Sequence, residues 1–447
     1  MSSFHDFGLA EPITRALAEE KYVTPTPIQA RTIPLALERR DVIGIAQTGT
    51  GKTAAFALPI LHRVFTERKR PERKTCRVLV LSPTRELSGQ ILDSFQTYGR
   101  HLRISSALVI GGVPMGRQIR ALANGVDVLV ATPGRLLDLV RCNAASLADV
   151  DFLVLDEADR MLDMGFINDI RTIVSKLPAR RQTLFFSATM PRAIADLAHD
   201  MLRDPAKVAV TPVASTVQRI GQRVIHVDHA AKTAVLEEIL KGEPLDRALV
   251  FTRTKHGADK VVRSLVKAGI AADAIHGNKS QNQRERVLAA FRKGELRTLV
   301  ATDIAARGID VDGVSHVVNF DLPNVAETYV HRIGRTARAG AEGIAISLCE
   351  AADVPFLRAI EKLIRLAIPS ENRRTEAARA QPSAAPSREK HAAPKNRDHQ
   401  APAQRNRARR GHAHQPQARE ANGGGETVGF RKRGGNHRRN NVQRAPR

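Results

Sequence analysis

VIGIAQTGTGKT, residues 42–53, joins an apolar, β-branched run to a glycine-rich loop and then to the helical pattern KTAAFALPILHRVF, residues 52–65. A strand that feeds a glycine loop at a helix N-terminus is a phosphate cradle. Gly49 and Gly51 let backbone N–H groups turn inward, and the helix adds its positive dipole end. Lys52 is placed to neutralise β/γ-phosphates and the Thr53 hydroxyl to ligate Mg²⁺. The strict G-x-x-x-x-G-K-[ST] spacing is broken, because Ala46 stands at the first glycine. A glycine turn before a helix with an exposed lysine is the plainer alternative. The run FLVLDEAD, residues 152–159, argues against it. Four apolar residues deliver Asp156 and Glu157 to the end of a buried strand. There Asp156 is expected to hold Mg²⁺ through water and Glu157 to orient or deprotonate an attacking water. The pair predicts nucleoside-triphosphate hydrolysis. A guanine-reading NKxD is missing, since NKSQ at 278–281 lacks the aspartate, so ATP is the expected nucleotide.

Working outward, further short apolar runs end in Gly, Pro, Thr or Ser at 78–83, 106–112, 126–133 and 183–189, and the second half repeats the theme at 223–228, 248–252, 298–302, 316–320 and 343–348. They do not alternate apolar with polar, the mark of parallel strands buried on both faces, and helical patterns such as GRQIRALANG intervene. The pattern predicts two doubly wound α/β domains with ligands at the carboxyl ends of the strands. The expected division is an N-terminal region at 1–34 packed on a first domain at 35–210, a linker at 211–221, a second domain at 222–370 and a disordered tail at 371–447.

The chain has 447 residues, a formal net charge of +24 and a pI near 10.8. From Arg373 onward, 19 Lys and Arg face 5 Asp and Glu, leaving +14 on the tail and +10 on the rest. The tail has no Leu, Ile, Met, Tyr or Trp, so it is expected to be disordered. Such a charge excess calls for a polyanionic partner, most often nucleic acid. No apolar run is long enough to span a bilayer, and the N-terminus lacks the pattern of a secretory signal. Cys76, Cys142 and Cys349 are scattered, with no disulfide framework or metal spacing, as expected of a cytoplasmic protein.

Over residues 4–369 the motifs and their order closely resemble the DEAD-box RNA helicases, the bacterial RhlE group in particular. The resemblance implies two tandem RecA-like domains and an RNA-dependent ATPase that opens short duplexes when the domains close. An ATP-switched RNA clamp or annealing factor with little unwinding is the alternative. It implies ATP and Mg²⁺ as ligands, RNA bound through its backbone, a monomer, and partners in ribosome assembly or RNA decay.

By the same resemblance, KYVTPTPIQ (21–29) matches the adenine-reading Q motif, with Gln29 on the base edge and Phe4 and Tyr22 packed near it; the family's usual glycine before the tyrosine is Lys21 here. The cradle comprises Ala46, Gln47, Thr48, Gly49, Thr50, Gly51, Lys52 and Thr53. SAT (Ser187, Ala188, Thr189) and His331 are implied to couple ATP to strand separation. In HRIGRTAR (331–338), Arg335 and Arg338 are the implied arginine fingers, with Ala337 where relatives commonly carry Gly. In TDIAARGID (302–310), Asp303 is the implied ribose contact and Asp310 orders the fingers. The implied RNA contacts are Pro83, Thr84, Arg85, Gly111, Gly112, Thr132, Pro133, Gly134 and Arg135 in the first domain. In the second they are Arg253, Gly277, Gln281, Arg284, Thr302 and Gly308. Exposed N–H and O–H donors and forked guanidiniums grip phosphates without reading bases. The basic tail is the expected non-specific RNA tether.

Overall fold

A computed structural model of the chain describes residues 3–47, 49–210, 220–306, 311, 313–337 and 342–375. The first lobe is a seven-stranded parallel sheet. Its strands are β1 (Val42–Ile45), β2 (Cys76–Leu81), β3 (Ser106–Val109), β4 (Val126–Ala131), β5 (Phe152–Leu155), β6 (Gln182–Ser187) and β7 (Ala206–Ala209), in the order β3-β4-β2-β5-β6-β1-β7. The second lobe repeats the design. It comprises β8 (Ile220–His226), β9 (Ala248–Thr252), β10 (Ala272–Ile275), β11 (Thr298–Thr302), β12 (His316–Asn319), β13 (Gly343–Cys349) and β14 (Ser370–Asn372), ordered β10-β11-β9-β12-β13-β8-β14. These are two tandem RecA-like folds.

The lack of alternation along the strands has a direct structural cause. Successive side chains point to opposite faces, and both faces are covered by helices. Val78, Val80, Val128, Val130 and Val154 enter one core layer, while Leu79, Leu81, Leu129, Leu153 and Leu155 enter the other. In the second lobe Val250, Val300 and Val318 are separated from Leu249, Leu299 and Val317 in the same way. Gly44 in β1 is required by packing, since a Cβ there would stand 2.5 Å from the Phe186 ring.

Three strands escaped the sequence reading: β7, β10 and β14. All three are short sheet-edge strands, and a charged or polar residue interrupts each of them, so no apolar run marks them. β14 also corrects the expected start of the tail. Residues 371–375 are held in the second lobe, where Arg373 pairs with Glu238 and Thr375 hydrogen-bonds Asp228. Ile220 and Gly221, placed in the linker, belong to β8, and 211–219 lie outside the described residues. The rest of the tail, from residue 376, also lies outside them.

Candidate active site and nucleic-acid cleft

All the nucleotide motifs stand at the carboxyl ends of the first sheet. β1 ends at Ile45, and the Ala46 amide donates to the Ser187 carbonyl at the end of β6, which joins the phosphate loop to the SAT segment. Gly51 caps the helix Lys52–Glu67 with a left-handed φ of +88°, and a Cβ there would collide with the Gln29 amide. The Thr50 hydroxyl donates to the Gln47 carbonyl (2.8 Å), which closes the turn, and Thr53 is half-buried in the first turn of the helix. Thr48 lies outside the described residues.

The charges at the centre of this loop are incompletely matched. Lys52 and Asp156 are both buried, their nearest atoms 3.7 Å apart, and among the described residues neither Lys52 Nζ nor Asp156 Oδ1 has a hydrogen-bond partner. Buried charges without hydrogen bonds are costly, so this pair is matched to a ligand that supplies the missing contacts. Burial pushes the Asp156 carboxyl up to about 6; Lys52 pulls it down and Glu157 raises it further. Glu157 adopts a left-handed φ of +56°, a strained conformation for a side chain of this size, and accepts from Arg160 at 3.0 Å. These residues fit a Mg-triphosphate: a cation for phosphate oxygens, and a carboxylate and a hydroxyl for a metal. Among the described residues no group of three or more His, Cys, Asp or Glu forms a metal cage. Mg²⁺ is usually held by one or two protein ligands together with phosphates and water.

The SAT segment touches the DEAD segment. Thr189 donates to Asp159 through both its amide and its hydroxyl, each at 2.9 Å. The Ser187 hydroxyl accepts from the Asp159 amide (3.2 Å) and donates to the Thr189 carbonyl (2.7 Å). Ala188 sits between them.

The Q-motif residues pack within the first lobe, beside the phosphate loop. Gln29 is buried. Its Oε1 accepts from the Thr26 amide (2.8 Å) and its Nε2 donates to the Gly51 carbonyl (3.1 Å), while the Thr26 hydroxyl donates to the Thr50 carbonyl (2.8 Å). In this arrangement Gln29 braces the phosphate loop. Phe4 is in the core, its ring against Phe7 and Tyr22, and the exposed Tyr22 packs edge-on to Tyr98.

From the second lobe, His331 reaches the first. Burial and the adjacent Arg160 and Arg335 push His331 down to about 4, with Asp159 and Glu157 opposing, so the ring is neutral near pH 7. Arg335 and His331 line a small recess together with Arg160 and Asp303. Arg332 fills it from below, donating to both Asp303 oxygens at 2.6 and 2.8 Å and to Asn319 Oδ1 at 3.0 Å. Asp303 is thus engaged by an arginine rather than standing open for a ribose. Arg338, Asp310 and Gly308 lie outside the described residues.

The RNA-track residues converge. A cleft of about 350 Å³ is lined from the first lobe by Pro83, Thr84, Arg85, Gly111, Thr132, Gly134 and Arg135, and from the second by Gly277 and Arg284. Gly112, at φ +76°, leaves room for the Arg85 guanidinium, which a Cβ would strike. Pro133 opens the helix Pro133–Arg141. Burial, then the neighbouring Arg284, lowers Arg85 from the ordinary arginine value; Glu86 opposes this and Arg135 adds to it. Clustered guanidiniums at a cleft are a phosphate-binding arrangement. Arg284 is itself bonded across the lobes to buried Glu86 (2.8 Å), and Arg85 donates to Gln281 at 3.4 Å. Arg253 faces elsewhere, paired with Asp353 (3.0 Å) and stacked over Phe356, and Thr302 ends β11. Glu86, Arg160, Met164 and Phe166 belong to these sites and were not singled out from sequence. Glu86 lay within the PTREL segment, but a carboxylate in a phosphate track has no direct reading until its arginine partner is known.

Comparison with known proteins gives the same picture. Residues 26–197 match the DEAD/DEAH box helicase model and 231–340 the helicase conserved C-terminal domain. The chain is 46% identical over 365 residues to RNA helicase CrhR of Synechocystis sp., covering 81% of this chain and 73% of that protein. It is 42% identical over 389 residues to the ATP-dependent RNA helicase CshA of Listeria monocytogenes, covering 87% and 71%. The solved structure of S. cerevisiae Dbp5 bound to RNA and ADP BeF3 superposes with a TM-score of 0.74 at 33% identity, covering 83% of this chain and 96% of that one. With both lobes, their motifs and relatives along most of its length in agreement, the chain belongs to the DEAD-box family of ATP-dependent RNA helicases.

Proposed function

We propose that the chain is an RNA-dependent ATPase that opens short duplexes by closing its two lobes around ATP and RNA. The observation that carries this reading is that both sites are shared. His331 and Arg335 of the second lobe stand beside Arg160 and Glu157 of the first, and Arg284 and Gln281 reach Arg85 and Glu86 across the RNA-track cleft. Each ligand therefore favours the same closed form, which is the condition for coupling between them.

When bound, ATP would supply the phosphoanhydride, and Mg²⁺, which Asp156 and Thr53 would hold, would supply charge that offsets the phosphates. Lys52 holds the phosphates. Glu157, fixed by Arg160 in a strained backbone conformation, orients water. Arg335, with Arg338, meets charge that develops on the transferred phosphoryl group. Thr189 and Ser187, bonded to Asp159, carry the state of the DEAD segment toward the lobe interface. Arg85 and Arg135 grip phosphates without regard to sequence. The basic tail acts as a tether that raises local RNA concentration. RNA is preferred to DNA, remodelling of RNA–protein complexes follows from the same closure, and the protein acts in the cytoplasm.

Steady-state ATPase with matched RNA and DNA strands tests the reading. RNA is expected to stimulate turnover strongly and DNA little. Glu157→Gln is expected to bind ATP and RNA yet stall. Brisk hydrolysis by that variant, or equal stimulation by DNA, would remove the assignment.

A further inference from the structure

The end of the first lobe opposite the nucleotide motifs carries a second cationic surface. The segment RKRPERKT, residues 68–75, holds five basic residues and one acidic one, and Arg68 to Arg70 and Arg73 to Lys74 are exposed. It runs into the amino end of β2. Together with the segments that enter β3 and β4 it encloses a cleft of about 680 Å³, lined among others by Arg68, Lys69, Arg70, His101 and Arg103. Because the sheet is parallel, every amino end lies on this side and every motif described above on the other. A strand of five or six residues separates them by about 20 Å.

The surface is built rather than incidental. The fully buried Arg77 donates to the Lys69 carbonyl (3.3 Å) and pairs with Asp151 (3.2 Å) and Glu67 (3.4 Å), which fixes the start of the segment. The Lys74 amide donates to the Leu122 carbonyl, and Thr75 folds back on the Glu72 carbonyl through its amide and hydroxyl. Gly125, at φ +76°, is required beneath it, since a Cβ would strike the Glu72 carbonyl. The backbone is thus pinned while the cations are left over. Lys69 is paired with Asp151, but among the described residues no ion pair or hydrogen bond engages the side chains of Arg68, Arg70, Arg73 or Arg103. Like charges held together without counter-ions raise the local potential and attract a polyanion.

We infer that this rim is a second RNA-backbone site, which holds the duplex or structured RNA that flanks the strand in the cleft between the lobes. The inference rests on the helicase reading for its ligand. Its separation from the first track means that a short single strand cannot occupy both. It predicts that substrate length, not sequence, governs the rim's contribution.

The test uses the full chain and the triple variant R68E/R70E/R103E, whose altered side chains are exposed. Two RNAs are compared by fluorescence anisotropy across a salt series: a short single strand, and the same strand with a hairpin flank. The variant is expected to bind the hairpin-flanked RNA about 5- to 20-fold more weakly near 0.15 M salt, with a log–log salt slope shallower by about 2. Short-strand affinity and short-strand-stimulated ATPase should match wild type, which also reports intact folding. In the unaltered protein, the hairpin-flanked RNA but not the short strand should protect Lys69 from acetylation. Unchanged hairpin affinity and slope, equal loss for both RNAs, or lost binding of polyglutamate with RNA binding intact would each overturn the proposal. The last would mark the rim as an acidic-protein surface. Failure of the helicase reading looks different: a wild-type ATPase indifferent to RNA, whatever the rim variant does.

Discussion

Two buried lysines, one in each lobe, are held in opposite ways. Lys232 in the second lobe has three carboxylates around it, Glu350 at 2.7 Å, Asp321 at 2.9 Å and Asp353 at 4.0 Å. Among the described residues, Lys52 in the first lobe has one carboxylate, at 3.7 Å, and no hydrogen bond. The acids follow suit. Asp321 is lowered, its burial outweighed by Lys232 and the Arg253 amide, whereas Asp156 is raised. The same residue types thus serve as a structural clamp in one place and as an incomplete site in the other. Unsatisfied polar atoms, not charge or burial alone, separate the two.

The comparison is exposed to four measurements. Lys232→Ala leaves three carboxylates without their cation and is expected to cost about 3–5 kcal/mol in a urea unfolding series. ATPase per folded molecule should be largely preserved. Lys52→Ala should lower ATPase by about 10²- to 10³-fold while costing less stability than Lys232→Ala, since a single carboxylate at 3.7 Å loses its cation. A stability loss in the second variant as large as in the first would end the distinction between clamp and site.

The third measurement is pH. Asp156 has a folded pKa raised above its ordinary 3.8, so its contribution to stability is fully present below 3.8 and is lost as pH rises through about 6. Asp321 is lowered, so its contribution is present above 3.8 and is lost as pH falls through its folded value. Binding of a Mg-triphosphate needs the ionised Asp156. Affinity for Mg-ATP, read by a fluorescent analogue, should therefore weaken about tenfold per unit below pH 6. An affinity flat from pH 7 to 5 would contradict this.

The smallest effect concerns backbone. Lys21 and Ala337, the two positions where the family resemblance implies glycine, have φ of +59° and +54°. Left-handed backbone costs a side chain about 1 kcal/mol or more. Lys21→Gly and Ala337→Gly are each expected to stabilise by up to about 1 kcal/mol, offset by glycine's greater chain entropy. Thermal midpoints that fall in both variants would show that side-chain contacts outweigh the strain.

These residues also mark what sequence could carry. The sheets were legible because both-face burial writes uninterrupted apolar runs, and Lys52, Asp156 and Glu157 because each follows such a run. The edge strands β7 and β14 were not, since Lys207 interrupts the first after a single alanine and the second is the polar tripeptide Ser370–Asn372. At the site, identities were legible but pairings were not. Nothing in PTREL says that Glu86 meets Arg284, nearly two hundred residues away, or in TPIQ that Gln29 is bonded to the phosphate loop. Pairings of that kind depend on how two lobes or two segments meet, which no local pattern encodes.

The Glu86–Arg284 bond has a further consequence for the cleft it spans. Glu86 is in the first turn of the helix Arg85–Tyr98 and Arg284 in the first turn of the helix Gln281–Arg292. With Arg85 and Gln281 alongside, two helix starts are bridged at two points, like the jaws of a caliper. The gap between the jaws is then metered by side-chain length. Shortening Glu86 to Asp, one methylene less, would reset the gauge of the groove while keeping every charge in place.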